Sequence, residues 1–229
     1  MLCLTSSAVQ SLAKSHWNRV TKVKEEELLR LQSMWEIEHS LFDKGYVNIA
    51  GVDEAGRGPL ADEVYAAAVI LPHDICIEGL NDSKKLTEKK REKLFDEILD
   101  CALAYAIKTA SVEEIDKYNI RNATYIAMNR AIEALSVTPD YVIVDGDCIK
   151  ECHYPHECVV KGDAKSLSIA AASVLAKVAR DRHMIEMAKK YPEYGFEKHK
   201  GYGTAAHIAA IKEFGACEIH RKTFIKKFI

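Results

Sequence analysis

No stretch of this chain approaches the roughly 20 consecutive apolar residues of a membrane-spanning helix, so a membrane location is not expected. Internal repeats and low-complexity tracts are also missing, which sets aside repeat and disordered architectures. Residues 1–22 carry Lys14, His16, Arg19 and Lys22 but no compact apolar segment leading to a small-residue cleavage site, and do not read as a secretory signal. No CxxC pair occurs among the seven cysteines, and their odd number and irregular spacing fit reduced thiols in a cytosolic compartment. Net charge is scarce as well. A value of −2 argues weakly against nonspecific coating of DNA, although clustered carboxylates can mask local basic patches. Such patches exist at Lys84-Lys85, Lys89-Lys90-Arg91, Lys161 and Lys165, Lys198 and Lys200, and Arg221-Lys222.

What is present fits one large globular domain, or one domain with an appendage: 229 residues, 48% hydrophobic and 29% charged. Leu28, Leu29, Leu31, Trp35, Ile37 and Leu41 recur at helical spacing over 24–43, and Gly45 closes the run. Residues 1–45 therefore read as an N-terminal helical extension before a main domain over 46–229. Residues 46–54 and 64–71 read as strands of a hairpin, joined by a Gly-Arg-Gly-Pro turn. A helix over 88–100 is capped by Thr87, and 102–109 is a third strand candidate. Ser111 and Glu114 form a capping-box signature for a short helix, with a longer one near 122–135. Tyr141 to Val144 is a buried central strand, Val159-Val160 a short one, 166–189 a helix, and 205–214 a helix between Thr204 and Gly215. Strand pairs followed by interleaved helices give an α/β domain with a mixed sheet.

Residues 49–59, Ile-Ala-Gly-Val-Asp-Glu-Ala-Gly-Arg-Gly-Pro, are the most informative stretch. A strand of small and β-branched residues ends on Asp53 and Glu54, and a Gly-Arg-Gly turn follows at once. Carboxylates on a buried strand end are costly unless paired or bound to cations. The recurrence of acids at two further strand ends, Asp145 and Asp163, points to a metal site. Hard Mg²⁺ or Mn²⁺ prefers oxygen ligands, and a pair of such ions held by converging carboxylates suits phosphodiester hydrolysis. Glycines around Arg57 let backbone N–H groups approach a phosphate or sugar while the guanidinium supplies charge. Asp147 reads as a solvated turn residue, and Asp181, next to Arg180 on a helix, as an ion-pair partner. Cys148, Cys152, His153, His156 and Cys158 lie close enough in sequence to hold zinc; with no CxxC pair, reduced cysteines and surface histidines are the expectation.

The chain resembles ribonuclease HII, the type 2 ribonuclease H family, across roughly residues 46–225. The motifs are Gly51-Val52-Asp53-Glu54-Ala55-Gly56-Arg57-Gly58-Pro59 and Asn81-Asp82-Ser83-Lys84-Lys85-Leu86. Val144-Asp145-Gly146, Lys161-Gly162-Asp163-Ala164-Lys165-Ser166 and Ala171-Ala172-Ser173-Val174-Leu175-Ala176-Lys177 follow. Lys198-His199-Lys200-Gly201-Tyr202-Gly203-Thr204 and His220-Arg221-Lys222-Thr223-Phe224 complete the set. The resemblance implies a ribonuclease H-like fold, a mixed five-stranded sheet flanked by helices, and a Mn²⁺- or Mg²⁺-dependent endonuclease. Such an enzyme hydrolyses the RNA strand of RNA–DNA hybrids and nicks DNA duplexes 5′ of an embedded ribonucleotide, leaving a 3′-hydroxyl and a 5′-phosphate. By motif match, Asp53, Glu54, Asp145 and Asp163 are the implied metal-binding catalytic carboxylates. Gly56, Arg57 and Gly58 are implied readers of the ribose 2′-hydroxyl, the group that distinguishes RNA from DNA, with Tyr202 assisting. Ser83, Lys84 and Lys165 are implied phosphate contacts, against the plainer reading of ordinary surface residues. A monomer in the cytoplasm is expected.

One departure stands out. After Gly58-Pro59-Leu60-Ala61 the family usually continues Gly-Pro-Val, and this chain has Asp62-Glu63-Val64. Two extra negative charges near a groove for phosphates are expected to weaken binding, unless the side chains point to solvent. Rival readings are a nuclease of the same fold acting on another substrate such as a DNA junction, a nucleic-acid-binding protein that turns over poorly, and a Cys/His regulatory protein.

Overall fold

Strands Ile49–Ala55 (β1) and Val64–Ile70 (β2) are built from small and β-branched residues, and every one of them except Glu54 is buried. A strand buried on both faces must lie inside a sheet with helices on either side. That is the arrangement in the computed structural model, which describes residues 25–146 and 149–229. Three more strands, Ala104–Ala110 (β3), Tyr141–Asp145 (β4) and His156–Val159 (β5), complete a five-stranded sheet in the order β3-β2-β1-β4-β5. The pairs β1–β2 and β2–β3 are antiparallel, while β1–β4 and β4–β5 are parallel. The expected hairpin and mixed sheet are both present.

Eight helices lie among the described residues: Glu25–Ser33 (α1), Glu36–Asp43 (α2), Glu88–Cys101 (α3), Val112–Glu133 (α4), Leu167–Lys190 (α5), Phe196–His199 (α6), Ala205–Phe214 (α7) and Lys222–Ile225 (α8). Helix α5 covers one face of the sheet and α4 the other. Residue 51 has to be glycine for the first contact to form. A Cβ there would lie 2.2 Å from the Ser168 backbone carbon, so the missing side chain lets α5 sit directly on β1.

The single helix expected over 24–43 is broken in two. Met34 and Trp35 are buried at the break, and the Met34 carbonyl accepts a bond from the Leu167 N–H. Docking on the start of α5 outweighs helix continuity. The two helices expected after Ser111 abut instead of leaving a gap. They meet at Asn119, whose φ is 67°, and its Oδ1 accepts from the N–H groups of Arg121 and Asn122 as a cap for the second segment. The Ser111–Glu114 capping box is reciprocal, as expected.

Strand β5 begins at His156 instead of Val159, and Asp163 sits beyond the strand on a 3-10 turn, Gly162–Ala164. Within 148–158, Cys148 lies outside the described residues, as does Asp147, and the His156 ring bonds the Tyr154 carbonyl at 2.8 Å. Asp181 is an ion-pair partner as expected, 2.6 Å from Lys177 and 3.8 Å from Arg91. No described helix is long and apolar enough to cross a membrane.

Candidate active site

The parallel pairing of β1 with β4 brings the first two acids together. Val52 registers with Val144, and one residue further along each strand stand Asp53 and Asp145. The turn after β5 supplies the third. The carboxylates of Asp53, Asp145 and Asp163 lie within 4.8 Å of one another, and Asp53 and Asp163 are buried. Burial first, and then the charges of Glu54 and Asp145, push the Asp53 carboxyl well above the usual range. Asp163 is raised by burial and by Asp145, with Lys84 opposing. The protein holds the trio with few donors: Asp53 accepts the Glu54 N–H at 2.7 Å and Asp145 the Gly162 N–H at 2.5 Å. Two buried carboxylates and a half-buried third, converging within 4.8 Å, call for positive charge, and an all-oxygen donor set suits Mg²⁺ or Mn²⁺.

Glu54 stands apart from this trio. Adjacent residues of a strand point to opposite faces; Asp53 faces α5, and Glu54 faces α4 beside Arg121, Thr124 and Tyr125. Its Oε1 lies 3.3 Å from the Arg57 guanidinium, and burial raises its carboxyl while Arg57 lowers it. It couples to the cluster through charge, raising Asp53 and being raised in turn by Asp145.

The remaining expected residues differ in exposure and partners. Arg57 and Gly58 are exposed, and a Cβ on Gly58 would lie 3.5 Å from the Tyr202 ring, so the turn and the tyrosine share one surface. Tyr202 is 44% exposed, which for a tyrosine between two glycines fits a surface that meets a ligand. Lys84 is exposed. Burial opposes its charge, but Asp53, Asp163, Asp82 and Glu54 outweigh that and raise it. Lys165 is exposed directly after the Asp163 turn. Ser83 is placed differently from expectation: it is 2% exposed, with its hydroxyl 2.9 Å from that of Ser173. Ser173 in turn bonds Asp53. The hydroxyl therefore supports the acid cluster through Ser173.

Two buried arginines shape the turn. Arg221 is 0% exposed and donates to five backbone carbonyls of one loop: Gly56 at 2.6 Å, Arg57 at 3.1 Å, Pro59 at 2.9 Å, Asp62 at 2.7 Å and Glu63 at 3.2 Å. Arg180 donates to Ala61 and to Lys200, joining this loop to the one that carries Tyr202. Gly56 is required here for two reasons. Its φ is +98°, and a Cβ would lie 2.4 Å from the Arg180 Nε. Asp62 corrects the expectation drawn from its charge. It is 1% exposed, facing neither groove nor solvent, with Arg180 at 3.8 Å and His183 at 3.3 Å. Buried cations already crowd this point, and Asp62 answers them.

A chain of neutral imidazoles ends on the Tyr202 loop. The Tyr202 carbonyl can only accept, so His207 donates to it from Nδ1 at 3.0 Å. His207 Nε2 is then an acceptor, and His220 Nε2 donates to it at 3.0 Å. His220 Nδ1 accepts the Cys217 N–H at 2.9 Å. Each tautomer is fixed by the next, and a proton on either ring puts two donors face to face. Burial and the neighbouring His207 push His220 down to about 4, and burial lowers His207.

Sequence reasoning assigned no role to Ser173, Arg180, His207, His220 or Arg221. Three of them, Ser173, His220 and Arg221, lie within the quoted motifs, which is the signal the sequence offers.

Comparison with known proteins returns one family. The sequence model described as ribonuclease HII matches residues 50–227. The ribonuclease HII of Caldicellulosiruptor saccharolyticus is 54% identical over 198 residues, covering 86% of this chain and 97% of its own. That of Ruminiclostridium cellulolyticum is 49% identical over 225 residues, covering 98% and 88%. Among solved structures, the ribonuclease H2 of Pyrococcus horikoshii OT3 superposes with a TM-score of 0.67 at 29% identity, covering 80% of this chain and 97% of that one.

Proposed function

The chain belongs to the ribonuclease HII family, a ribonuclease H acting on RNA in RNA–DNA hybrids, and on that basis we propose that it also nicks duplex DNA 5′ of an embedded ribonucleotide. The products are a 3′-hydroxyl and a 5′-phosphate, and the cut starts removal of the ribonucleotide from DNA. The observation that carries this reading is the converging trio Asp53, Asp145 and Asp163, together with the exposed Arg57–Gly58 turn and Tyr202. Hydrolytic machinery and a surface for the 2′-hydroxyl lie side by side.

Asp53, Asp145 and Asp163 would hold two Mg²⁺ or Mn²⁺ ions, with Glu54 completing the set at the strand end. When bound, the ions supply a deprotonated attacking water and neutralise charge at the leaving oxygen. The chain's own residues do the rest. Ser173 and the Gly162 N–H fix the carboxylates, and fixed ligands reduce the reorganisation that the reaction requires. Backbone groups of Gly56, Arg57 and Gly58 approach the ribose, and the Arg57 guanidinium, held by Glu54, adds charge for a phosphate. Tyr202 packs on the sugar and favours the nucleotide bearing the 2′-hydroxyl. Lys84 and Lys165 contact phosphates flanking the cut. We take residues 46–229 as the catalytic domain and 1–45 as its helical extension. The protein works as a monomer in the cytoplasm, a setting consistent with the reduced thiols of Cys76, Cys101, Cys152 and Cys217.

The test is a labelled DNA duplex containing one ribonucleotide, beside an all-DNA control and an RNA–DNA hybrid, in Mg²⁺ or Mn²⁺. Cleavage 5′ of the ribonucleotide, absent from the control and from the Asp145→Asn variant, is the expected result. Cleavage of the hybrid with no cut at the single ribonucleotide would remove junction recognition from the assignment. Equal activity of Asp145→Asn would remove the metal site.

A further inference from the structure

On the α5 side of the fold, two histidines and an aspartate outside the acid trio converge. His39 lies on α2, while His73 and Asp74 lie in the loop that leaves β2. Asp74 reaches both rings with its two oxygens: Oδ1 is 2.7 Å from His39 Nε2, and Oδ2 is 2.8 Å from His73 Nδ1. All three ligand atoms fall within 4.8 Å of one another. From this arrangement we propose that His39, His73 and Asp74 form a binding site for a borderline transition-metal ion of the Zn²⁺ class, distinct from the carboxylate site.

The donor chemistry separates the two sites. Two imidazoles and one carboxylate suit Zn²⁺, whereas hard Mg²⁺ prefers oxygen donors and gives up water reluctantly. Three protein ligands leave a coordination position open to water, and side chains that are 43%, 54% and 56% exposed give an ion direct entry from solvent.

The rings are also held in place before any ion arrives. Trp35 stacks on His39 with centroids 5.9 Å apart and an interplanar angle of 15°, and on His73 at 6.3 Å. Phe42 also packs on His73, with centroids 4.4 Å apart. The Trp35 indole N–H donates to the Ile75 carbonyl at 3.1 Å, which ties the loop to the start of α2. Packed rings lose little rotamer freedom on binding, so little ordering cost falls on the ion. An ordinary ion-paired carboxylate needs only one of these imidazoles. Two aimed at one carboxylate, each with aromatic packing, form a preformed ligand set.

An ion there would bridge α2 to the loop after β2, clamping the N-terminal helices to the sheet. Binding to the folded state alone raises stability by mass action. The experiment is calorimetric titration of the full chain with ZnCl₂ in excess MgCl₂, which occupies the oxygen-only site, under reducing conditions. The expected result is one Zn²⁺ bound with affinity reduced at least about tenfold in both His39→Gln and His73→Gln, each variant keeping its circular dichroism spectrum. Thermal unfolding of the wild-type protein should shift upward with ZnCl₂, and the shift should vanish in both variants. Zinc binding that is unchanged in either variant, or no binding in the wild type, overturns the proposal. Binding confined to the free cysteines shows up as the first of these outcomes.

Discussion

Asp62 and Arg180 face each other in the interior, a carboxylate oxygen 3.8 Å from the guanidinium Nε with both side chains 1% exposed. Removing one partner of a buried pair strands the other, at a cost of about 3–5 kcal/mol. Against that, Asp62 holds φ at 80°, a left-handed conformation costing a non-glycine residue roughly 1–2 kcal/mol. The pair outweighs the strain. Asp62→Gly should therefore lower unfolding free energy by about 2 kcal/mol in urea. It should also leave affinity for a ribonucleotide-containing duplex no tighter at low salt, because the sealed carboxylate never faces the phosphates. A variant as stable as wild type, or one that binds more tightly, would refute this account.

Arg221→Lys should be far from conservative. Lysine has three donors on a flexible stem and cannot reproduce five bonds to a curved run of carbonyls. Unsatisfied buried carbonyls cost about 1–3 kcal/mol each where no water reaches them, so a loss of at least about 3 kcal/mol is expected. Under folded conditions the remaining activity should lose preference for the single-ribonucleotide duplex over the RNA–DNA hybrid. Retained preference would mean that the turn keeps its shape without the clamp.

The imidazole chain gives a signed pH dependence. His220 has a folded value of about 4, below the roughly 6.5 of an unfolded histidine. Its contribution is thus fully present above about pH 6.5 and lost as pH falls toward 4, up to about 3 kcal/mol. His220→Gln should remove that slope, so wild type and variant converge in stability on acidification. His183 runs the other way. Its bond to Asp62 raises it, so its contribution is present below about pH 6.5 and fades as pH climbs through the raised value. Asp62→Gly should abolish that second dependence. Denaturant curves across pH 4–9 on the three proteins resolve both slopes.

Glu38 is fully buried and accepts from the Ser166 hydroxyl at 2.6 Å and the Ser168 N–H at 3.1 Å, at the start of α5. Glu38→Ala should destabilise by about 2 kcal/mol and Glu38→Gln by less, because glutamine keeps an acceptor oxygen. Deleting residues 1–45 should be worse. Leu31, Met34, Trp35 and Leu41 are buried, at roughly 1.5–3 kcal/mol each. Loss of cooperative thermal unfolding is the expected reading; a stable, merely weaker-binding fragment would argue for a groove-extending role instead.

Asp145→Asn should abolish cleavage and stabilise the metal-free protein by about 1 kcal/mol. It removes a charge that presses on Asp53 and Asp163 while keeping an oxygen for the Gly162 N–H. Added MgCl₂ should raise the melting temperature of the wild type more than that of the variant. An identical metal response in both would separate Asp145 from the metal site.

Much of this molecule was legible in the residues themselves. The positive-φ glycine at 56 and the caps at Ser111 and Thr204 are local demands of the backbone, and the acids at 53 and 145 mark strand ends, so these features write themselves locally. The strand order of burial gave the hairpin, and the motifs gave the family. What the tertiary structure decided was of another kind. Parallel register, not sequence proximity, brought Asp145 to Asp53, while neighbouring Glu54 went to the opposite face because a strand alternates. Burial decided Asp62, whose charge alone suggested an exposed nuisance and whose partner stands at Arg180. The clamp on the Gly56 carbonyl comes from Arg221, 165 residues away. Periodicity and composition carry no record of such pairs, because a buried charge is tolerated only where the completed fold supplies its partners.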